Sequence, residues 1–216
     1  MKKYSTVIFD LDGTLLNTIE DLTNALNHTL QEFNMPTRTL PEVQSFVGNG
    51  LRLLLIRAIP QGEDNPQFEE VFAAFKTYYT DHCKEATAPY PGIMELLKTL
   101  QEHEIPMAIV SNKNDAAVKR LAADFFEGII SVAIGERTGV RKKPAPDTVF
   151  TALEELGEHA DSAVYVGDSE VDLQTAANSG MDCISVAWGF KGRAFLEKEG
   201  ASHIVDTPDD ILRFLI

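Results

Sequence analysis

Two aspartates one residue apart, Asp10 and Asp12, close the apolar run Val7-Ile8-Phe9 and are followed at once by Gly13 and Thr14. Three other places in the 216-residue chain set polar groups beside an apolar run or a helix start. Ser111-Asn112 follows Ile109-Val110, and Gly167-Asp168-Ser169-Glu170-Val171-Asp172 follows Tyr165-Val166. Lys143-Pro144-Ala145-Pro146 precedes a helical pattern that starts near Asp147. Singly, each piece has a simpler reading: Asp10 and Asp12 cap a turn, Ser111, Asn112, Asp168 and Ser169 cap helices, and Lys143 is a solvated lysine before a proline turn. Together they complement one another in charge. Crowded carboxylates repel and need a counter-charge, and oxygen donors without sulfur favour a hard cation such as Mg2+. Lys143, the Ser111 hydroxyl and backbone amides at loop-to-helix turns form the opposite half, a set of donors for an anion. A metal beside an anion cradle points to phosphoryl chemistry.

These groups converge only if the apolar runs before them are strands of one sheet. From about Pro91 onward the chain alternates between helical periods and short apolar runs, the signature of an α/β fold. Helix-period Ile93-Met94-Leu96-Leu97-Leu100 leads to Pro106-Met107-Ala108-Ile109-Val110, then to helical Ala116-Ala117-Val118-Leu121 and the run Ile129-Ile130-Ser131-Val132. The series continues through helical Val149-Phe150-Leu153-Leu156, Ala163-Val164-Tyr165-Val166, helical Leu173-Ala176-Ala177, strand-like Cys183-Ile184-Ser185-Val186, Ile204-Val205 and a terminal Ile211-Leu212-Phe214-Leu215. Runs ending at Asp10, Val110 and Val166 are near-continuous rather than alternating, as in strands covered on both faces. The expected fold is a doubly wound parallel sheet, whose ligands lie beyond the carboxyl ends of the strands.

Between about Leu16 and Ala88 the helical period dominates. Ile19, Leu22, Leu26, Leu30 and Phe33 share one helical face, with Thr18 and Asp21 as a capping box at its start. Pro41 suits a first helical turn, Leu51 to Ile59 is an apolar segment ended by Pro60, and Phe68, Val71, Phe72, Phe75 and Tyr79 mark a last amphipathic helix. Gly48-Asn49-Gly50 reads as a turn or hinge. The division is therefore a core of residues 1–15 and 88–216 with a helical cap, 16–87, inserted after the first strand.

Hydrophobic content of 44% and charged content of 24% place the chain among globular proteins. Its net charge of −14 repels polyanions, which argues against nucleic-acid and anionic-membrane partners. The longest basic run, Arg141-Lys142-Lys143, is too short to track a phosphate backbone. Cys83 and Cys183 lie far apart in sequence, form no Cys-x-x-Cys motif and read as reduced packing residues. The apolar stretch after the two N-terminal lysines is broken at Asp10, and no run approaches the ~20 residues of a membrane span. The expectation is a soluble cytoplasmic protein, monomeric or homodimeric, with a small phosphorylated metabolite as its partner.

Asp10-Leu11-Asp12-Gly13-Thr14, Ser111, Lys143-Pro144 and Gly167-Asp168-Ser169-x-x-Asp172 resemble, in order, the four motifs of the haloacid dehalogenase superfamily. The resemblance spans essentially the whole chain, the helical insertion included. It implies that Asp10 is a nucleophile forming an aspartyl-phosphate, and that Asp12 protonates the leaving alcohol and later activates water. Asp10, Asp168 and the Asp12 backbone carbonyl would hold Mg2+, with Asp172 a supporting acidic residue. Ser111 would bind a phosphate oxygen, and Lys143 would pair with Asp10 and the phosphoryl group. Dehalogenating relatives lack the second aspartate, so Asp12 implies phosphatase or phosphomutase chemistry.

Within the superfamily, VIFDLDGTLLNT, Phe46-Val47-Gly48-Asn49-Gly50, Pro89-Tyr90-Pro91-Gly92 and Val186-Ala187-Trp188-Gly189-Phe190 are most similar to the phosphoglycolate phosphatases. Arg52 is the candidate reader of a substrate carboxylate, against a solvated helix arginine. Thr14 and Asn112 are further candidate substrate contacts, Lys191 and Arg193 remoter ones, and Trp188 reads as core. The rival readings are a β-phosphoglucomutase-like enzyme, a receiver-type signalling domain holding a phosphoaspartate, and a non-catalytic Mg2+-binding module.

Overall fold

The computed structural model describes residues 4–48 and 50–216. The first three residues and Asn49 lie outside the described residues, and with them part of the N-terminal stretch and of the Gly48-Asn49-Gly50 turn.

Two compact units divide the chain: one comprises residues up to Leu16 and from Pro89 to Ile216, the other Asn17–Ala88. The first carries a six-stranded sheet. Strand β1 (Thr6–Phe9) lies inside it, and the chain crosses to the helical unit within the two-residue strands β2 (Leu16–Asn17) and β3 (Ala88–Pro89). The remaining strands are β4 (Met107–Asn114), β5 (Val132–Glu136), β6 (Ala163–Gly167), β7 (Asp182–Val186) and β8 (His203–Val205). Their order is β5-β4-β1-β6-β7-β8, with every neighbouring pair parallel. Phe9 is level with both Ile109 and Val166, so β1 and β6 end nearly level where the winding reverses direction, beside β4, which runs on past them.

Each face of the sheet has its own apolar core, which is why the strands read as continuous hydrophobic runs. Val7, Phe9, Ile109, Val164 and Val166 pack with Leu97 and Leu100 of helix α5 (Ile93–Glu102) and Leu121 and Phe126 of α6 (Asp115–Phe126). The alternate residues Ile8, Val110, Ile134 and Tyr165 pack with Val149 and Leu153 of α7 (Asp147–Leu156) and Ala176 of α8 (Glu170–Asn178). A further helix, α9 (Arg193–Lys198), precedes β8, and the terminal Ile211-Leu212-Phe214 run lies in a 3₁₀ segment, Pro208–Phe214.

The helical unit contains α1 (Ile19–Glu32), α2 (Leu40–Phe46), α3 (Leu51–Ala58) and α4 (Phe68–His82). Helices α1 and α4 pack together, burying Leu22, Leu26 and Leu30 on one and Val71, Phe75 and Tyr79 on the other. Pro41 sits in the first turn of α2, as its missing N–H allows. Among the described residues no helix is long and apolar enough to cross a membrane.

The structure corrects three local expectations. Thr18 and Asp21 make no capping box, because Asp21 instead accepts from the amides of Ala86 (2.8 Å) and Thr87 (2.9 Å) and from the Thr87 hydroxyl (2.7 Å). β5 begins at Val132 rather than Ile129, since Ile129 and Ile130 close a turn on Phe126. β4 does not stop at Val110 but runs to Asn114 with a register shift after Val110, so Ser111 and Asn112 are strand residues. The cap of α6 is Asn114, whose side chain accepts from the Ala116 amide.

Candidate active site

Every residue of this site belongs to the sheet-bearing unit. Asp10 leaves β1 with its amide bonded to the Val166 carbonyl, which fixes it between the ends of β4 and β6. Ser111 lies on β4, two residues past the partner of Phe9, and Asp168 follows β6 directly.

Lys143 is the hub. Its Nζ donates to Asp10 Oδ1 at 2.8 Å, to Asp172 Oδ1 at 2.8 Å and to the Tyr165 hydroxyl at 2.9 Å, which takes up the three donors an ammonium has. Tyr165 donates in turn to the Val110 carbonyl at 3.2 Å. The loop that delivers Lys143 is tied by Asn112 Nδ2, which donates to the Lys143 carbonyl, and by Asn178 Nδ2, which donates to the Pro144 carbonyl. Asp172 uses its other oxygen to hold the start of α8, accepting from the amides of Asp168 and Ser169 and from the Ser169 hydroxyl.

Asp12 has a cation of its own. Lys113 Nζ lies 3.0 Å from Asp12 Oδ1, with the lysine side chain 5% exposed and the aspartate side chain 20%. The Lys113 amide donates to Ser111 Oγ, so the two inward residues of β4 are tied together.

Asp168 is packed where only glycines fit around it. A Cβ on Gly13, whose φ is +88°, would lie 2.5 Å from Asp168 Oδ2, and a Cβ on Gly189 would collide with the Asp168 side chain. Asp168 Oδ2 accepts from the Phe190 amide at 2.7 Å.

Burial dominates the electrostatics. It pushes the Asp10 carboxyl up, Lys143 pulls it back, Asp172 and Asp12 push it up again, and the balance stands at about 7. Asp168 is also held well above the usual carboxylate range by burial and then by Asp172 and Asp10. Burial pulls the Lys143 ammonium down, but Asp10 and Asp172 more than reverse that and keep it charged. With all groups ionised, Asp10, Asp12, Asp168 and Asp172 outnumber Lys113 and Lys143 by two negative charges. One divalent cation balances that excess. Asp10, Asp168 and Asp172 each bring a carboxylate oxygen within 4.8 Å of the others, and an all-oxygen set of this kind fits a hard metal ion.

Of the residues singled out in the sequence, Asp10, Asp12, Ser111, Lys143, Asp168 and Asp172 come together at one end of the sheet. Asn112 stands there too, but its amide secures the lysine loop. Thr14 is fully buried, its carbonyl accepting from Trp188 Nε1, and Trp188 packs on the core. Arg52 lies in the helical unit, where Glu63 and Glu69 engage its guanidinium at 2.6–3.3 Å and Phe68 and Phe72 flank it. Arg193 is likewise held by Asp206, while Lys191 Nζ lies over the Phe195 ring. Sequence reasoning missed Lys113 and Tyr165. Ending β4 at Val110 hid the period-2 pairing of Ser111 with Lys113, and Tyr165 was counted only as an apolar strand residue.

Comparison with known proteins gives concordant results. Residues 7–186 match the family model described as haloacid dehalogenase-like hydrolase. A phosphoglycolate phosphatase of Pseudomonas syringae pv. tomato is 34% identical over 97% of this chain and 78% of the relative. One from Aquifex aeolicus is 29% identical over 97% of this chain and 95% of the relative. A crystal structure from Lactobacillus delbrueckii subsp. bulgaricus, assigned provisionally as a phosphoglycolate phosphatase, matches with a TM-score of 0.93 at 38% identity and covers 99% of both chains.

Proposed function

This chain belongs to the haloacid dehalogenase-like hydrolase family and is a phosphatase of that family, and from that premise we propose that it hydrolyses small phosphate monoesters through an aspartyl-phosphate on Asp10, with 2-phosphoglycolate as its substrate. The observation that carries this reading is the Asp10 carboxylate, buried beside Asp168 and Asp172 and gripped through one oxygen by Lys143.

Lys143 fixes the plane of the Asp10 carboxylate, so that one oxygen is directed at the substrate phosphorus. In the first half-reaction a bond forms from Asp10 to phosphorus while the bond to the ester oxygen breaks. Asp12 gives its proton to that oxygen, and the alcohol leaves. In the second, Asp12 takes a proton from water, the water oxygen bonds to phosphorus, and the Asp10 carboxylate departs. The sum is ester plus water giving alcohol plus inorganic phosphate. Ser111 Oγ and the amides at the strand ends hold the phosphoryl oxygens through both halves.

Asp10, Asp168 and Asp172, with the Asp12 carbonyl, are assigned as holding Mg2+, which when bound adds positive charge against the phosphoryl oxygens. Enzymatic acceleration of monoester hydrolysis reaches ~10²¹, whereas one electrostatic donor contributes about 3–4 kcal/mol, so the assembly acts as a set. The inserted residues 16–87 are assigned as a cap that selects the leaving group. The substrate assignment is supported by the names of the relatives from Pseudomonas syringae and Aquifex aeolicus.

The test is phosphate release with Mg2+ from 2-phosphoglycolate, glucose 1-phosphate, a nucleoside monophosphate, pyrophosphate and p-nitrophenyl phosphate, with Asp10→Asn as the blank. Phosphoglycolate is expected to give the highest kcat/KM, and the variant no release above buffer. An active, folded Asp10→Asn enzyme overturns the nucleophile; faster turnover of another ester overturns the substrate.

A further inference from the structure

We infer that Lys113 is the residue that reads the substrate's carboxylate, its ammonium standing beside Asp12 and within reach of the acid end of a 2-phosphoacid leaving group. The inference rests on the phosphoglycolate reading and deepens it.

The argument starts from the ligand's own dimensions. In 2-phosphoglycolate the carboxylate is separated from the ester oxygen by a single methylene, so bond lengths near 1.5 Å place its oxygens about 3–4 Å from that ester oxygen. Asp12, to protonate the ester oxygen, must approach it within about 2.6–3.2 Å. A cation that reads the carboxylate therefore stands within about 10 Å of Asp12, the sum of those two reaches and one further hydrogen bond. Lys113 does, at 3.0 Å from Asp12 Oδ1.

The other basic side chains considered fit less well. Lys143 gives its three donors to Asp10, Asp172 and Tyr165. Arg52 is engaged by Glu63 and Glu69, and Arg193 by Asp206.

The backbone around Lys113 is built to hold it still. Its amide is bonded to Ser111 Oγ, which puts the phosphate-binding hydroxyl and the lysine on one rigid segment. A Cβ on Gly135 would lie 2.5 Å from the Lys113 carbonyl, so β5 passes as close to this segment as a glycine allows. Asp115, two residues on, is fixed by the Gly135 amide, Arg137 and Lys119. A specificity residue mounted on a strand end and braced in this way is pre-organised for a ligand group at one fixed distance.

The experiment compares kcat/KM for 2-phosphoglycolate with that for ethyl phosphate, which has nearly the same length and no carboxylate, in wild type, Lys113→Met and Lys113→Arg. Loss of the Asp12 contact lowers turnover of both esters, so the readout is their ratio. A charge-assisted contact of this type predicts a roughly 10- to 100-fold fall in the ratio for Lys113→Met, with Lys113→Arg recovering part of it. A wild-type preference that survives in Lys113→Met overturns the inference and leaves the phosphoglycolate reading standing. A wild type with no preference for the carboxylated ester overturns that reading and the inference with it.

Discussion

A cation held between two carboxylates recurs in both units, and the copies on Lys143 and on Arg52 differ in almost every consequence. In the sheet-bearing unit Lys143 bridges Asp10 and Asp172 at 2.8 Å, with its side chain 3% exposed. In the helical unit Arg52 bridges Glu63 and Glu69 at 2.6–2.7 Å, with its side chain 42% exposed. The distances are alike; the surroundings are not. Water and salt screen the arginine cluster, so its ions would do nearly as well apart. The lysine cluster has been taken out of water, and each of its charges depends on the others. Close ion-pair geometry therefore does not identify a site; desolvation of the same geometry does.

Removing the buried cation tests this most severely. Lys143→Met leaves Asp10 and Asp172 without their shared partner, and a loss of about 3–5 kcal/mol in unfolding free energy is expected in metal-free buffer, together with loss of turnover. Urea melts and phosphate-release assays read the two effects. A variant of wild-type stability would place the two copies of the motif on an equal footing.

The next effect is a dependence on pH opposite in sense to that of the arginine cluster, where the hydrogen bond from Arg52 holds the Glu69 carboxyl below its ordinary range. Asp10 titrates near 7 in the folded protein against 3.8 as its ordinary value. Over that interval the folded chain keeps a proton the unfolded chain has released, so this group's contribution to stability is lost as pH rises from about 4 through about 7. Asp168, shifted the same way, acts in the same sense. Without metal, the Tm of Asp10→Asn should gain on wild type across that interval. Mg2+ should restore the wild type by about 2.7 kcal/mol at one hundred times its Kd. A Tm difference that stays flat with pH, or wild-type protein indifferent to Mg2+, contradicts the charge balance described for the site.

The smallest effect belongs to the exposed copy. Arg52→Gln should leave Tm within the scatter of replicate melts, and should leave the ratio of phosphoglycolate to ethyl phosphate turnover unchanged. A lowered ratio would return Arg52 to the role of carboxylate reader and take it from Lys113.

The same contrast explains what could be read from the chain beforehand. Asp10 and Asp168 were legible because each follows directly on an uninterrupted apolar strand, and the sheet order that unites them follows from parallel winding. Lys143 was legible only through its complementarity to them. Arg52 stood as a candidate against a solvated helix arginine, and its pairing was hidden because its partners stand 11 and 17 residues away and become neighbours only when the helices fold. Asp21 was misread for a similar reason: three residues after Thr18 it fits a local cap, yet it bonds to residues 65 and 66 positions on. Lys113 was lost to a strand boundary, because a register shift inside β4 carries the strand past the point where its apolar residues stop. Tyr165 was lost because a phenol counts as apolar in any pattern and matters here for its oxygen. Periodicity recovers what lies along an element, and long-range polar pairs fall outside it.

The Asp21 contact carries one more implication. By holding Ala86 and Thr87, it brings the first turn of the helical unit and its last residues within the reach of one side chain. To the sheet, the long insertion then behaves as a hairpin bend: the chain on either side of it meets two ends already tied, and the length between them adds little to the closure entropy. An insert clasped at its own base can be lengthened, shortened or exchanged for another without re-threading its host, so the two units can diverge as separate inheritances within one gene.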